Sequence, residues 1–189
     1  IIATNLDVYD GEGNLVMEKT TYENGKELIL KELDSIDNDY VKHSFNGHEY
    51  AIFDVSMTWS EGKVYCEKIG GHLATVTSQD EQDFINKNLV EKTSTKRQFW
   101  LGSYFSDSNT WKSITGEKWE YVNWAPGEPT GGQNYLTVLG TYYSDCGMWL
   151  DNPNNGTGSP WTLAETGFIC EWDNYRNGIE TFEYDGHYY

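Results

Sequence analysis

Basic residues, cysteine, proline and long apolar runs are all scarce in this sequence. Its 189 residues include 13 Lys and Arg against 30 Asp and Glu, a formal net charge of −17 at pH 7. Nucleic acids and anionic membrane surfaces are bound through clustered Lys and Arg, so this charge argues against both as partners. No run approaches the roughly 18 apolar residues that a membrane-spanning helix needs, so we expect no membrane insertion.

Aromatic residues and glycine are abundant instead. The chain contains 8 Trp, 14 Tyr and 19 Gly, although its mean hydropathy is only −0.67. A disordered acidic chain would be poor in aromatic residues, so the sequence predicts a folded core built from a few large side chains. The length suits one sizeable domain with extensions, and the composition favours a loop-rich β or α+β module of the extracellular type.

The first forty residues differ in pattern from the rest. Short apolar runs alternate there with turn sequences such as Asp10-Gly11 and Asn24-Gly25, which are strong signals for β-hairpins. We therefore interpret residues 1–42 as an acidic β-hairpin extension or as the end of a preceding module.

Two helix-start signals follow in the middle of the chain. Each has the form of a capping box, Thr58 with Glu61 and Ser78 with Glu81, in which a hydroxyl residue precedes glutamate by three positions. Apolar residues at helical spacing follow both boxes, and Gly70-Gly71 provides a stop for the first helix.

Beyond Lys96 the helical periodicity disappears, and long loops separate short β-like runs. The β-like runs are Phe99–Tyr104, Trp119–Trp124, Tyr135–Leu139 and Gly167–Trp172. Loops as long as 125–134 and 151–160 are uncommon in a compact domain unless they carry function, so we expect the functional site there.

Several separate stretches between residues 43 and 173 form an ordered series. They are Cys66, Gly70 to Val76, Phe99-Trp100-Leu101-Gly102, Trp119, Asn123-Trp124, Gly127 to Thr130, Trp149-Leu150-Asp151 and Gly167 to Trp172. Their order and spacing resemble those of the C-type lectin-like domain. The resemblance implies an α+β fold, with two helices flanking small antiparallel β-sheets and a long loop region that carries the ligand site.

The resemblance also implies a binding function outside the cell. Family members are carbohydrate-binding or protein-binding modules, so we expect a glycan or glycoprotein ligand and a secreted or cell-surface location. The four His residues are not accompanied by a nucleophile signature, so the sequence predicts no enzyme.

Cysteine usage fits the same compartment. The resemblance implies a disulfide between Cys66 on the first helix and Cys170 on the last strand. Closing a loop of roughly 100 residues would stabilise the fold by up to about 4.7 kcal/mol. The alternative is two reduced, buried thiols. Cys146 lacks a family partner, and we interpret it as a buried thiol, with an intermolecular bond as the alternative.

Family members that bind sugar hold one Ca²⁺ in the long loop, where oxygen ligands and two sugar hydroxyls surround the ion. The resemblance implies a set of calcium ligands here: Glu128, Thr130, Gln133, Asn134, Asp151 and Asn152. It implies that Glu128, Thr130 and Asp151 also bind the sugar. Tyr142 and Tyr143, which lie in a loop, are further candidates for ligand contact. Glu128-Pro129 matches the start of the Glu-Pro-Asn signature, which favours mannose-type ligands over galactose.

The loop also departs from the family pattern. Thr130 stands where the family has Asn, Gln133 where it has a further Glu, and Leu150 where it has the Asn of Trp-Asn-Asp. Only Glu128 and Asp151 remain as charged ligands, so we expect a weak site with a dissociation constant of about 10⁻⁴–10⁻³ M. The alternative is a lost calcium site and a calcium-independent protein-binding or adhesive module.

A second cation site is suggested by Glu81 and Glu171, because the family sometimes uses a helix Glu together with the Glu after the last Cys. The alternative is that Glu81 only caps a helix and Glu171 is a surface acid.

A six-residue sequence pattern occurs twice in the chain and bears on the context of the domain. Phe45-Asn46-Gly47-His48-Glu49-Tyr50 resembles Tyr184-Asp185-Gly186-His187-Tyr188-Tyr189 at the end of the sequence. The repeat is either chance or a sign that residues 174–189 are a linker leading into a neighbouring copy of the domain. Tandem copies would raise avidity for repeated glycans. Together with the hairpin extension, the repeat favours a longer multi-domain parent protein. The Gly- and Asn-rich loops and the single unpartnered Cys favour a bacterial source.

Overall fold

The structure is a computed structural model with two compact units. It describes residues 3–9, 15–22, 27–29, 40–93, 96, 98–154 and 166–173. The two units are Ile1–Tyr40 and Val41–Tyr189. The sequence-based limits of 1–42 and 43–173 stay predictions, and the segment 174–189 with its Gly-His repeat lies outside the described residues.

The first unit contains a three-stranded antiparallel sheet. β1 (Ala3–Tyr9) pairs with β2 (Leu15–Tyr22), and β2 pairs with β3 (Glu27–Ile29). The strands flank the two turn sequences identified above, as the hairpin signals predict.

The second unit has a mixed sheet and two α-helices. The helices are α1 (Trp59–Lys68) and α2 (Gln79–Asn88), followed by a 3₁₀ turn at Val90–Lys92. The strands are β4 (His43–Phe45), β5 (His48–Phe53), β6 (His72–Leu73), β7 (Gln98–Phe105), β8 (Trp111–Ser113), β9 (Tyr135–Leu139), β10 (Trp149–Asn152) and β11 (Thr166–Asp173). The strand order is β10-β9-β7-β11-β5-β4, while β6 pairs with β11 and β8 with β7. The pairing of β7 with β11 is parallel, and the other named strand pairs are antiparallel.

Both helices begin where the capping signals predict, but only the first signal is a complete box. Thr58 Oγ1 accepts a hydrogen bond from the Glu61 N–H at 3.2 Å, and Glu61 Oε2 accepts one from the Thr58 N–H at 2.9 Å. Ser78 caps α2 by accepting from the Glu81 N–H at 3.3 Å. The Glu81 carboxylate instead accepts from the Thr77 N–H and from a tyrosine hydroxyl in the interior.

The core is built from large aromatic side chains whose polar atoms are satisfied. Trp100 and Trp149 are fully buried. The Trp100 indole N–H donates to the Met57 carbonyl at 2.7 Å, and the Trp149 indole N–H donates to Gln82 Oε1 at 2.6 Å. Trp100 and Trp149 therefore contribute a large apolar area to the core while their two indole N–H groups stay hydrogen-bonded.

Close backbone contact joins β6 to β7. The Gly102 N–H donates to the Ala74 carbonyl at 2.7 Å, and a Cβ on Gly102 would lie 2.3 Å from the Leu73 carbonyl oxygen. Only glycine fits this approach, which explains the glycine of the Phe99-Trp100-Leu101-Gly102 stretch.

The predicted strand at Trp119–Trp124 is wrong. In this stretch only Trp124 pairs, in an isolated bridge with Trp149. The rings of Trp111, Trp119 and Trp124 instead pack on one another with centroid distances of 5.0–6.4 Å. Aromatic clustering, rather than strand pairing, explains the bulky residues here.

Cys66 and Cys170 are buried neighbours. Burial, together with the adjacent Cys170 thiol, raises the pKa of the Cys66 thiol well above its usual value. All three cysteines are free thiols in this structure, so the disulfide stays a prediction. Cys146 is half-buried.

Neither helix of the described residues has the length and apolar character of a membrane-spanning segment.

Candidate functional site

An open cleft of about 340 Å³ lies between the loop that follows Trp124 and the strand β10. Six of the residues singled out from the sequence line it: Glu128, Thr130, Gln133, Tyr143, Asp151 and Asn152. The cleft thus joins the long loop to the Trp149-Leu150-Asp151 motif.

Backbone hydrogen bonds attach the loop to β10. The Trp149 N–H donates to the Asn123 carbonyl, and the Ala125 N–H donates to the Trp149 carbonyl, both at 2.8 Å. The Glu128 N–H then closes a turn onto the Ala125 carbonyl at 3.0 Å, and the Glu128–Pro129 peptide bond is cis. These contacts carry Glu128 to the side of Asp151.

Asp151 is 2 % exposed and accepts hydrogen bonds through both carboxylate oxygens. Oδ1 accepts from the Thr130 N–H at 2.8 Å and from the Thr130 hydroxyl at 3.1 Å. Oδ2 accepts from the Gly131 N–H at 3.1 Å. The buried charge is therefore compensated by donors of the loop itself.

Glu128 lies against Asp151, and the two carboxyl groups interact directly. Glu128 Oε2 accepts from the Thr130 N–H at 3.1 Å. Partial burial, followed by a hydrogen bond and charge repulsion from Asp151, raises the pKa of Glu128 to about 7. Two neighbouring carboxylates favour a shared proton or a bound cation, because each makes ionisation of the other more costly.

The remaining candidates differ in where the structure places them. Gln133 and Tyr143 line the cleft, whereas Asn134 and Tyr142 are exposed and do not. The Asn152 side chain is 1 % exposed, and its amide nitrogen donates at 2.9 Å to both Gln98 Oε1 and Thr137 Oγ1. Its amide group therefore supports β10 from the interior.

One acidic residue of the cleft was missed by sequence reasoning. Asp145 lines the cleft beside Tyr143. The sequence shows Asp145 only as one of several acidic residues in loops. It does not indicate that the loop containing Asp145 and the loop after Trp124 meet.

Glu81 and Glu171, the second predicted pair, come together inside the domain. Glu81 is 7 % and Glu171 2 % exposed, so the alternative that Glu171 is a surface acid is wrong. The Tyr50 hydroxyl lies 2.7 Å from Glu81 Oε1 and 3.3 Å from Glu171 Oε1. Burial raises the pKa of Glu171 to about 7 despite a hydrogen bond from the Thr75 N–H.

Comparison with known proteins gives a consistent result. A family model described as Lectin C-type domain matches residues 55–159. The chain is 30 % identical over 112 residues to a lectin of Pleurodeles waltl. The matched region is 57 % of this chain and 63 % of that protein. It is 32 % identical over 120 residues to the C-type mannose receptor 2 of Mus musculus. This matched region is 61 % of this chain but only 8 % of the much longer receptor.

Solved structures show the same fold. The cow CD23 carbohydrate-recognition domain, determined in the presence of a GlcNAc2Man3 oligosaccharide, matches with a TM-score of 0.54 and 27 % identity, over 69 % of this chain and 91 % of that one. The Ca²⁺-independent C-type lectin SPL-2 from Saxidomus purpuratus matches with a TM-score of 0.60 and 26 % identity, over 70 % of this chain and 91 % of that one. These relatives are animal proteins and lend no support to a bacterial origin. The predicted α+β fold is confirmed, and the chain belongs to the C-type lectin domain family.

Proposed function

We propose that this domain binds carbohydrate at the cleft between Glu128 and Asp151, and that a calcium ion joins protein and sugar there. The observation that carries the proposal is the convergence of these two carboxyl groups, from separate chain segments, at one point of an open cleft. The cow CD23 domain studied with an oligosaccharide supports it as a relative of the same fold.

The charge of the donor set suits a calcium ion. Glu128 and Asp151 favour a proton or a cation between them, and hard divalent cations prefer carboxylate and other oxygen ligands. Glu128, Asp151, the Thr130 hydroxyl and the Gln133 side chain would hold the ion. When bound, Ca²⁺ would supply coordination for two neighbouring sugar hydroxyls.

The residues of the cleft would orient the sugar. Ionised carboxylates accept strong hydrogen bonds from hydroxyl groups, so their position selects the stereochemistry of the ring. The leading Glu128 favours a mannose-type arrangement of hydroxyls. The Tyr143 ring, which lines the same cleft, offers an apolar surface for the sugar ring.

A second candidate function is a calcium-independent protein-binding or adhesive module. It is favoured by the Asp151 oxygens, which already accept three hydrogen bonds from Thr130 and Gly131. Leu150, whose side chain cannot ligate a metal, lines the cleft where the family has Asn. The relative SPL-2 is described as Ca²⁺-independent.

Calcium calorimetry on the full chain tests the metal. We expect one Ca²⁺ per chain with a dissociation constant of about 10⁻⁴–10⁻³ M. Glu128→Gln keeps the size of the side chain but removes its charge, so it should weaken binding at least tenfold. Glu120→Gln is the matched control, because Glu120 is exposed and does not line the cleft. Equal binding by Glu128→Gln would contradict the site.

Retention on mannose and galactose resins, with calcium and with chelator, tests the ligand. Retention on mannose that chelator abolishes supports the proposal. Retention on sugar that resists chelator would overturn the calcium dependence alone. No retention on either resin would contradict sugar binding of these types and favour the adhesive alternative. A secreted or cell-surface parent protein, with a neighbouring copy of the domain, stays part of the proposal.

A further inference from the structure

Strands β5 and β11 bring three metal-binding side chains to one face of the sheet, away from β10. Their register pairs His48 with Asp173 and Tyr50 with Glu171. Side chains two positions apart on a strand project to the same face. His48 Nδ1 accordingly lies 2.8 Å from Glu171 Oε1 and 2.9 Å from Asp173 Oδ1. One ligand atom from each of the three residues lies within 4.8 Å of the other two.

His72 on β6 approaches the same group from the next strand. Its Nδ1 lies 2.9 Å from the Leu73 carbonyl oxygen, which can only accept a hydrogen bond, so the proton belongs on Nδ1. In the neutral ring Nε2 then carries a lone pair. This Nε2 is buried without a hydrogen-bond partner and lies 3.5 Å from Asp173 Oδ2.

Two acceptors that face each other in this way need either a proton or a metal ion between them. Histidine that ligates a metal typically donates its other ring N–H to a backbone carbonyl, as His72 does to Leu73. Of the two carboxylates, Glu171 is 2 % exposed and accepts hydrogen bonds from the Tyr50 hydroxyl and the Thr75 N–H, whereas the Asp173 side chain is 28 % exposed. Burying a carboxylate like that of Glu171 is costly unless a cation or hydrogen bonds compensate it.

We propose that His48, His72, Glu171 and Asp173 form a site for a divalent ion of the zinc class. Imidazole nitrogens suit Zn²⁺, Cu²⁺ and Ni²⁺, whereas Ca²⁺ prefers oxygen, so this site differs in chemistry from the loop cleft. Zn²⁺ bonds of about 2.0–2.2 Å in a tetrahedron place ligand atoms roughly 3.3 Å apart. His48, Glu171 and Asp173 already offer ligand atoms within 4.8 Å of one another. His72, whose Nε2 lies 3.5 Å from Asp173 Oδ2, would have to turn toward them to complete the four ligands.

An ion can reach the site from solvent. A neighbouring pocket of about 370 Å³ is lined by His48, Thr75 and Asp173 and is partly open. The side chain of His48 is 37 % exposed, so its ring forms the outer wall of the site. The bound ion would tie together β5, β6 and β11.

Zinc calorimetry on the folded full chain tests the inference independently of sugar and calcium binding. For this experiment the chain is prepared without a polyhistidine tag. Bound metal is removed with chelator, and Zn²⁺ is then titrated in the presence of excess Ca²⁺. We expect one Zn²⁺ per chain. His48→Gln and Asp173→Asn should each weaken zinc binding about tenfold or more. His43→Gln is the matched control, because His43 lies on β4 outside the cluster, and it should bind as the wild type does.

Two further measurements protect the test against unfolded variants and against binding to thiols. Zn²⁺ should raise the melting temperature of the wild type and of His43→Gln, but not that of Asp173→Asn. The Co²⁺-loaded wild type should show the visible bands of a tetrahedral nitrogen and oxygen site. Absence of zinc binding by the wild type, unchanged affinity in both cluster variants, or thiolate charge-transfer bands from Co²⁺ would overturn the proposal.

Discussion

The Asp151 carboxylate both shapes the loop through hydrogen bonds and acts on Glu128 through its charge. Its oxygens accept three hydrogen bonds from Thr130 and Gly131, which shape the loop, and its charge also acts on Glu128. An ionised carboxylate has about four acceptor sites, so little capacity remains for a further ligand. A metal ion or a sugar hydroxyl would therefore have to use this remaining capacity or replace one of the hydrogen bonds from Thr130 and Gly131.

Glu128 should make the stability of the metal-free chain depend on pH. The usual pKa is 4.5 and the folded value is about 7, so in this interval the folded state keeps a proton that the unfolded chain has lost. The stabilisation is complete below pH 4.5 and is lost as pH rises through about 7. The melting temperature in chelator should therefore fall less steeply with rising pH in Glu128→Gln than in the wild type.

Glu120→Gln provides the control for this measurement, because Glu120 is an exposed carboxylate outside the cleft. Its melting temperature should follow the wild-type pH dependence. A Glu128→Gln curve parallel to that of the wild type would show that Glu128 keeps its ordinary pKa in the fold.

Among the elements, the contact between β6 and β7 depends on a glycine, whereas α1 contains a buried glycine at which a Cβ would make ordinary van der Waals contacts. A Cβ on Gly102 would lie 2.3 Å from the Leu73 carbonyl oxygen, but on Gly62 its nearest neighbours would lie at 3.5 Å. Gly102→Ala should lower the free energy of unfolding by about 1–3 kcal/mol, because backbone must move. Gly62→Ala should be neutral or stabilising by up to about 1 kcal/mol, because alanine favours helix. Denaturant unfolding measures both, and equal effects would contradict this packing.

The elements also show where local sequence was informative. The starts of α1 and α2 were predictable, because Thr58 and Ser78 cap them through neighbours in the chain. The contact between Glu81 and the Tyr50 hydroxyl was not, because Tyr50 lies on β5, 31 residues away from Glu81 in the sequence. In the candidate sites, Glu128 and Asp151 could be named from the family resemblance. The pairing of His48 with Asp173 depends on strand register, which no local pattern in either segment specifies.

For the whole molecule, the state of the cysteines is the sharpest remaining expectation. Cys66 and Cys170 are adjacent and buried, so oxidation should join them and leave Cys146 free. Thiol titration of the denatured, oxidised chain should find one thiol, and Cys146→Ser should leave none. Reduction of the Cys146→Ser variant should cost about 2–5 kcal/mol of stability. A disulfide-linked peptide that contains Cys146 would contradict the pairing.

The adjacency of β5 and β11 has a mechanical consequence. His48 opens β5 and Asp173 closes β11, and the two residues are paired directly across the ladder. Tension applied through the flanking chain, once the short β4 detaches, would load both strands at the same end. The ladder would then open like a zipper, one rung after another, and the His48–Asp173 rung would be the first to bear the force.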